Sequence, residues 1–339
     1  MNIIYNQQIL PFNTFHVQAI SKAYTCIEDL ADIKQLTSLK NEFGKFIILG
    51  GGSNILFTKD FDGIVIHNKI KGIEKIKETK QSVWLKVYSG TIWHDFVLYT
   101  VQNNWSGIEN LSLIPGTVGA SPIQNIGAYG VEAKESIVEV LTYEILTHKL
   151  QKFTNEACHF GYRDSIFKRQ ENQGKYFILS VTFKLNKNPT SLNISYGDVQ
   201  KIIDEKYRGI INVKNISEAI IHIRSQKLPN PDELGNAGSF FKNPIITIDK
   251  ANAILEQYPQ IPHYQVSDNQ IKIPAAWLIE QCGWKGQRDG NTGNHSRQAL
   301  VIVNYGNASG LEISMHASKV QKSVLDKFGI QLQSEVNII

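Results

Sequence analysis

The run Gly50, Gly51, Gly52, Ser53 and Asn54 has the composition of an anion-binding turn. It directly follows an apolar stretch, and glycine permits the positive φ angles with which successive backbone N–H groups converge on an anion. The spacing is not a dinucleotide fingerprint, because Ile55 stands where the third glycine belongs, and no P-loop Gly-Lys-Ser/Thr occurs. The run could therefore be a phosphate-binding loop or a tight turn between strands, and these residues alone favour the turn.

A second segment, residues 115–130, is rich in small residues and has no charged side chain. Its glycines let the backbone approach a flat ligand, while Pro115 and Pro122 stiffen the loop. A flavin needs such close backbone donors at its ring edge and pyrophosphate. The alternative is a long buried connecting loop, which is uncommon because all its backbone polar groups must be satisfied. The composition therefore favours a flavin site.

Two polar side chains outside these segments are candidates for catalysis. Arg163 could hold a substrate carboxylate through two hydrogen bonds, although a surface ion pair with Asp164 is the commoner arrangement. Ser239 lies in a predicted turn that enters a strand, which would present its hydroxyl. The hydrolase pattern Gly-x-Ser-x-Gly fails at Phe241, so an ordinary turn serine remains the alternative.

Composition argues against several other classes. The nine histidines form no metal-binding spacing, and Cys26, Cys158 and Cys282 form no Cys-x-x-Cys pair, so we predict no metal and a reducing compartment. The lysines are dispersed despite a net charge of +4, and no apolar run is long enough to span a membrane. We therefore expect a cytoplasmic protein, a monomer, with no nucleic-acid or membrane partner.

The elements that must position these residues follow from periodicity. At 339 residues, 42% of them hydrophobic, the chain is long enough for two or more packed units. Apolar spacing predicts helices over residues 28–40, 92–101, 249–258, 274–282 and 309–328, and strands over 46–49, 55–57, 63–67, 83–88, 137–146, 176–185 and 299–303.

Several finer signals refine these elements. Capping boxes are predicted at residues 25–28 and 309–312. One more helix contains Ile220 and Arg224 and ends before Pro229. The alternation over residues 330–338 predicts a terminal strand with Glu335 on its polar face.

Four stretches together resemble the UDP-N-acetylenolpyruvoylglucosamine reductase family. They are LGGGSN at 49–54, IPGTVGASPIQNIGAYG at 114–130, FGYRDS at 160–165 and GNAGSFFKNP at 235–244. Their order and spacing match as well, and the resemblance extends from about Asn13 to Val336. In addition, Tyr196-Gly-Asp198 resembles the tyrosine loop of the longer subgroup of this family.

The resemblance implies an α+β fold in which a PCMH-type (vanillyl-alcohol-oxidase-like) FAD-binding domain precedes a C-terminal α+β substrate domain. The implied ranges are 14–187 for the FAD-binding domain, 188–225 for the tyrosine loop and connector, 226–329 for the substrate-binding domain and 330–339 for the terminal strand with Glu335.

The implied function is NADPH-dependent, FAD-mediated reduction of UDP-N-acetylglucosamine enolpyruvate to UDP-N-acetylmuramate in bacterial peptidoglycan precursor synthesis. Hydride would pass from NADPH to flavin N5 and then to the enolpyruvyl β-carbon, leaving negative charge on the α-carbon and its carboxylate. Arg163 and Glu335 would stabilise that charge, and Ser239 would deliver a proton to the α-carbon.

The resemblance also implies binding residues. Those for the cofactor are Gly50, Gly51, Gly52, Ser53, Asn54, Pro115, Gly116, Gly119, Ala120, Ser121, Gln124, Asn125, Ile126, Gly127 and Ala128. Those for the UDP-sugar are Tyr129, Tyr196, Lys227, Asn243, Tyr264, Lys285 and Gln298.

One position departs from the family pattern, and two rival functions remain. Asn337 stands where a relative has arginine, so a charge contact near the active site is absent or supplied elsewhere.

A flavin oxidase of the same fold would usually tether its flavin through a histidine or cysteine, and residues 110–131 contain neither. A non-catalytic nucleotide-binding module would use only residues 50–54.

Overall fold

The computed structural model describes residues 1–339. The strands are β1 (Ile4–Gln8), β2 (Ile20–Ile27), β3 (Phe46–Leu49), β4 (Ile55–Leu56), β5 (Phe61–Asn68), β6 (Ile73–Glu78), β7 (Ser82–Tyr88), β8 (Gly127–Ala128), β9 (Val131–Glu132), β10 (Ile137–Glu144), β11 (Lys149–Thr154), β12 (Tyr176–Asn186), β13 (Gly235–Ser239), β14 (Ile245–Thr247), β15 (Tyr264–Ser267), β16 (Gln270–Lys272), β17 (Arg288–Asp289), β18 (Thr292–Asn294), β19 (Val301–Asn304) and β20 (Asn337–Ile338). The helices are α1 (Leu36–Phe43), α2 (Trp93–Gln102), α3 (Val199–Tyr207), α4 (Val213–Lys227), α5 (Ile248–Gln257), α6 (Ala275–Gln281) and α7 (Gly310–Phe328).

The chain forms two compact units. The first comprises Met1–Gln7, Ser21–Gly51 and Asp62–Gln226, and the second comprises Gln8–Ile20, Gly52–Phe61 and Lys227–Ile339. The chain therefore passes from one unit to the other within the glycine-rich run, after Gly51. The domain ranges implied by the resemblance stay predictions.

Two sheets build the first unit. One has the strand order β1-β2-β5-β3, and the other is an antiparallel sheet with the order β11-β10-β12-β7-β6. Helix α2 buries Trp93 and Phe96, and Phe96 lies with its ring centroid 4.9 Å from that of Phe183 on β12. This apolar packing holds the sheet that contains β7. The residue after β7, Ser89, contacts Gly119 in the second glycine-rich segment, residues 115–130.

The second unit contains two smaller sheets with the orders β13-β19-β18-β17 and β14-β16-β15. Helix α7 begins at the predicted capping box, because Ser309 accepts a hydrogen bond from the Glu312 N–H while the Glu312 side chain accepts one from the Ser309 N–H. The chain ends in β20, which pairs in parallel with β4 so that Asn337 lies opposite Ile55.

Three sequence-based predictions of secondary structure are wrong. The helix predicted over residues 28–40 is a 3₁₀ helix over Leu30–Gln35 that continues into α1 (Leu36–Phe43). The capping box at residues 25–28 does not form, because Thr25 lies inside β2, where its β-branched side chain is buried, and a 3₁₀ turn begins after Asp29 instead. The terminal strand is confined to Asn337–Ile338, and Glu335 lies in a bend before it. The alternation of burial persists in this segment because it remains extended without continuous pairing.

His67 generates a testable prediction about stability. It lies on β5, its Nδ1 is 2.8 Å from the Tyr24 hydroxyl, and burial together with the charges of Lys69 and Lys71 lowers its pKa from 6.5 to about 4. Because the folded protein keeps this imidazole neutral, the unfolded chain binds more protons between those two values. The stability from neutral His67 is therefore complete above about pH 6.5 and is lost as the pH falls toward 4.

We expect the free energy of unfolding of His67→Gln to fall less steeply than that of the wild type between pH 7 and about pH 4, the lowered pKa. Urea titrations at several pH values across this range measure both slopes. Parallel curves for the two proteins would show that His67 is not the group that titrates.

Candidate flavin and substrate sites

The two glycine-rich segments touch each other in the first unit. A Cβ atom on Gly50 would lie 2.5 Å from Thr117 Oγ1, and one on Gly51 would lie 2.9 Å from the Cα atom of Gly116. The contact at Gly51 is with backbone and excludes any side chain, whereas a side chain at position 50 would require the Thr117 hydroxyl to move. The sequence predicted two cofactor-binding segments, and the structure brings part of the first against the second.

A cavity of about 260 Å³ lies beside this contact, entirely within the first unit. Its lining includes the predicted cofactor-binding residues Gly50, Gly119 and Ala120. The other lining residues are Phe46, Ile48, Asn68, Thr117, Ile123, Phe167, Asn172, Gln173, Gly174, Tyr176 and Ile178. None of these side chains is charged, which suits the flat, uncharged aromatic rings of a dinucleotide cofactor.

Close backbone packing sets the position of Gly119. Its N–H donates to the Ser89 carbonyl at 2.8 Å, and a Cβ atom on Gly119 would lie 2.6 Å from Ser89 Cβ. The Ser89 hydroxyl accepts a hydrogen bond of 2.7 Å from the side chain of Asn68, which also lines the cavity. The cavity wall is thus held to the strand that ends at Tyr88.

Sequence reasoning missed the wall formed by Asn172, Gln173 and Gly174. Gly174 has φ +64°, and a Cβ atom on it would lie 3.2 Å from the ring of Phe46. The Lys40 ammonium donates to the Gly174 carbonyl at 3.3 Å and so fixes this turn to α1. An Asn-Gln-Gly turn beside a strand was the available signal, but it is indistinguishable from an ordinary surface turn.

The remaining predicted cofactor residues fall into two groups. Gly52, Ser53 and Asn54 belong to the second unit, where the Asn54 side chain donates to the Glu335 carbonyl at 3.3 Å. The others belong to the first unit: Pro115, Gly116, Ser121, Gln124, Asn125, Ile126, Gly127 and Ala128. Within that group Ser121 is buried and donates to the Val118 carbonyl at 2.7 Å.

Arg163 is held against the second glycine-rich segment. Its Nη2 donates to the Gly127 carbonyl at 2.8 Å, and the buried Asn125 side chain donates to the Gly161 carbonyl at 2.9 Å. Asn125, Tyr129 and Arg163 all have positive φ angles, of 43°, 49° and 53°. Such strain in non-glycine residues is typical of binding and catalytic sites, because surrounding contacts must enforce it.

The predicted tyrosine loop lies next to the same segment. The rings of Tyr129 and Tyr196 are 6.1 Å apart and nearly perpendicular, at 86°. The Asn110 side chain donates to the carbonyls of both Tyr129 and Asn193, at 3.1 and 2.9 Å. The two predicted substrate-binding tyrosines are therefore brought together, and Asn110 stabilises both of their loops.

The second unit brings Ser239 and Glu335 onto adjacent segments. Ser239 ends β13, directly after Gly238 with φ +68°. The Glu335 N–H donates to the carbonyl of Phe240 at 2.8 Å, and the Lys242 N–H donates to the carbonyl of Gln333 at 2.9 Å. These hydrogen bonds align residues 240–242 with residues 333–335, so the bend that contains Glu335 lies beside Ser239.

The other predicted UDP-sugar residues also lie in the second unit. The Asn243 side chain accepts a hydrogen bond from the Ala275 N–H at 2.9 Å, at the start of α6, and Lys285 forms an ion pair of 3.0 Å with Glu280. Tyr264 lies exposed on β15, Gln298 is half-buried before β19, and Lys227 is the last residue of α4. Asn243 thus has a structural role besides the predicted one.

Comparison with known proteins agrees with this architecture. Residues 21–147 match the family described as FAD binding domain, and residues 230–339 match UDP-N-acetylenolpyruvoylglucosamine reductase, C-terminal domain. The chain is therefore a flavoprotein with an FAD-binding domain followed by a C-terminal domain of the reductase type.

Similar whole proteins define the family. The chain is 49% identical to the UDP-N-acetylenolpyruvoylglucosamine reductase of Amoebophilus asiaticus over 340 residues, and 46% identical to that of Flavobacterium johnsoniae over 339 residues, with 100% of each chain covered. The solved reductase of Thermus caldophilus shares the fold, with a TM-score of 0.68 at 19% identity, covering 99% of this chain and 98% of that one. The chain belongs to the UDP-N-acetylenolpyruvoylglucosamine reductase family.

Family membership confirms several sequence predictions. The chain is an oxidoreductase, its cofactor is FAD with NADPH as the reductant, and its reaction belongs to peptidoglycan synthesis. The predicted fold class is confirmed by the two family matches together. No helix in the structure is long and apolar enough to cross a membrane.

Gly119 provides a test of the flavin site. We expect Gly119→Ala to purify with much less bound flavin than the wild type, because the added methyl group collides with Ser89 at 2.6 Å and displaces the cavity wall. The ratio of flavin to protein absorbance measures this occupancy.

Gly161→Ala is the matched control, since a Cβ atom there meets only Asp164 Cβ, at 3.6 Å. It should retain flavin. Full flavin occupancy in Gly119→Ala would contradict the assignment of this cavity to the cofactor.

Proposed function

We propose that the protein catalyses the NADPH-dependent, FAD-mediated reduction of UDP-N-acetylglucosamine enolpyruvate to UDP-N-acetylmuramate, and that it does so in the cytoplasm. The observation that carries the proposal is the hydrogen bond from the Glu335 N–H to the Phe240 carbonyl, which holds Glu335 beside Ser239. FAD held at this site and reduced by NADPH would supply the hydride that reduces the enolpyruvyl double bond.

Ser239 is the proposed general acid. Reduction at the β-carbon leaves negative charge on the α-carbon, and a proton must be delivered there. A serine hydroxyl is a weak acid, so it can serve only where its orientation is fixed and water is excluded. Its place at the end of β13, opposite Val301 on β19, fixes the backbone from which the hydroxyl projects.

Arg163 and Glu335 are the proposed stabilisers of the substrate carboxylate. The bond from Arg163 Nη2 to the Gly127 carbonyl orients the guanidinium before substrate arrives, so little reorganisation is needed during the reaction. Glu335 is proposed to act on the same carboxylate. Both groups would act mainly on charge that develops during reduction, which is how they would accelerate it.

The UDP-sugar is proposed to bind through Tyr129, Tyr196, Lys227, Asn243, Tyr264, Lys285 and Gln298. Tyr196 is 47% exposed, so its ring is available to cover a ligand. The neighbouring Tyr129 ring limits where Tyr196 can go, because the two rings pack edge to face.

A flavin oxidase is less well supported than a reductase. No histidine or cysteine lines the cavity. Cys158 is fully buried, and burial raises the pKa of its thiol to about 12, so it is not poised to form a covalent flavin bond. A non-catalytic nucleotide-binding module would give no role to Ser239 and Glu335, which lie on adjacent segments.

Steady-state assays test the reaction itself. NADPH oxidation should depend on added UDP-N-acetylglucosamine enolpyruvate and should yield UDP-N-acetylmuramate in equal amount. Oxidation at the same rate without that substrate, with oxygen consumed instead, would support the oxidase. A colourless purified protein would support the nucleotide-binding module.

Replacing Ser239 tests the proton donor. We expect Ser239→Ala to slow single-turnover reduction of the substrate by about a hundredfold or more, the usual contribution of a general acid. Reduction of the enzyme by NADPH alone should stay near the wild-type rate, because no proton is delivered to substrate in that half-reaction. Stopped-flow absorbance separates the two rates.

Ser318→Ala on the exposed side of α7 is the matched control and should behave as wild type. Near wild-type substrate reduction by Ser239→Ala would exclude Ser239 as the acid.

A further inference from the structure

A second arginine of the first unit, Arg224, lies on the face of α4 that packs against the flavin domain. Ser217, seven residues earlier on α4, has its hydroxyl 2.8 Å from that of Ser112, which follows Asn110 in the chain. Seven residues make about two helical turns, so Arg224 and Ser217 share one face of α4. Arg224 therefore projects from the face of α4 that meets Ser112, with its Nε buried.

Tyr129 marks where this face of α4 meets the predicted active site. Its side chain packs against the apolar cluster of α3 and α4 that includes Ile216, Ile220 and Ile223. Tyr129 and Arg163 both act electrostatically on Arg224, and burial and then Arg224 lower the pKa of His94. The guanidinium of Arg224 thus lies in the neighbourhood of the residue proposed to bind the substrate carboxylate.

The Arg224 side chain lacks a neutralising partner. Its Nε is buried and has no hydrogen-bond partner. Burial, and after it the positive charge of Arg163, lowers the pKa of Arg224, and no carboxylate is among the groups acting on it. A buried cation next to a like charge is costly in free energy unless an anion or several hydrogen bonds compensate it.

An anionic ligand would remove this cost. A carboxylate has two oxygens and about four acceptor positions, enough for two guanidinium groups at once. Arginine suits such a site because it stays charged when buried and offers a rigid fork of donors.

We propose that Arg224 joins Arg163 in a two-arginine site for the carboxylate of the enolpyruvyl substrate. This inference rests on the proposed function, which places that carboxylate at Arg163. Arg224 would bind the carboxylate in the ground state and hold it while charge develops, in addition to the contact that Arg163 makes.

The test compares ligands with and without the carboxylate. In Arg224→Gln we expect the dissociation constants of UDP-N-acetylglucosamine enolpyruvate and of UDP-N-acetylmuramate to rise by about tenfold or more, the effect of losing a charge-assisted hydrogen bond. UDP-N-acetylglucosamine, which has no carboxylate, should bind as it does to the wild type. Titrations followed by flavin absorbance measure all three constants.

Two variants serve as references. Lys214→Gln removes an exposed cation from the same helix and should leave every constant unchanged. Arg163→Gln, measured in parallel, should weaken the carboxylated ligands selectively. If Arg224→Gln fails to retain flavin, Arg224→Lys replaces it, because lysine keeps the charge but loses the fork and should also weaken carboxylate binding selectively.

The outcomes separate the two hypotheses. Selective weakening in both arginine variants supports this inference. Selective weakening in Arg163→Gln alone, or equal weakening of all three ligands in the Arg224 variants, overturns the role of Arg224 and leaves the proposed function standing. Absence of selectivity in Arg163→Gln would instead contradict the placement of the carboxylate in the proposed function.

Discussion

The backbone contact between Gly51 and Gly116 is the constraint on which the first unit's site depends. The Cα atom of Gly116 lies so close that a side chain at position 51 would meet it at 2.9 Å. Two chain segments separated by more than sixty residues can approach this closely only if both lack side chains at the contact. The cavity beside this contact is lined by the neighbouring residues Gly50, Thr117, Gly119 and Ala120.

The residues proposed for catalysis are held by backbone groups. The Gly127 carbonyl orients Arg163, and the Phe240 carbonyl holds the bend of Glu335. The positive φ angles of Asn125, Tyr129 and Arg163 add conformational cost that the surrounding contacts must offset. The arrangement of these residues is therefore fixed before any ligand binds. Fixed donors stabilise developing charge well because they need not reorganise during the reaction.

Much of the scaffold could be predicted from periodicity alone. The helix that buries Trp93 and Phe96 and the capping box at Ser309 both form as expected, because each depends on residues within about two turns. The capping box at Thr25 was wrong because strand pairing outweighed the local signal. The terminal strand was shorter than predicted for a related reason, since alternation predicts an extended chain but not how far its backbone pairs, and residues 333–335 pair only locally with residues 240–242.

For the site, the sequence by itself determined which residue types were available: glycines that permit close approach, an uncharged segment, and a family pattern that identifies FAD. Only the tertiary structure decided that Gly51 meets Gly116, that residues 172–174 close the cavity, and that Glu335 lies beside Ser239. It also decided that Arg224, which looks like an ordinary helix arginine in the sequence, is buried near Arg163 without a partner for its Nε. The physical reason is that conformational preference acts over a few residues, whereas contact, burial and charge pairing join segments far apart in the chain.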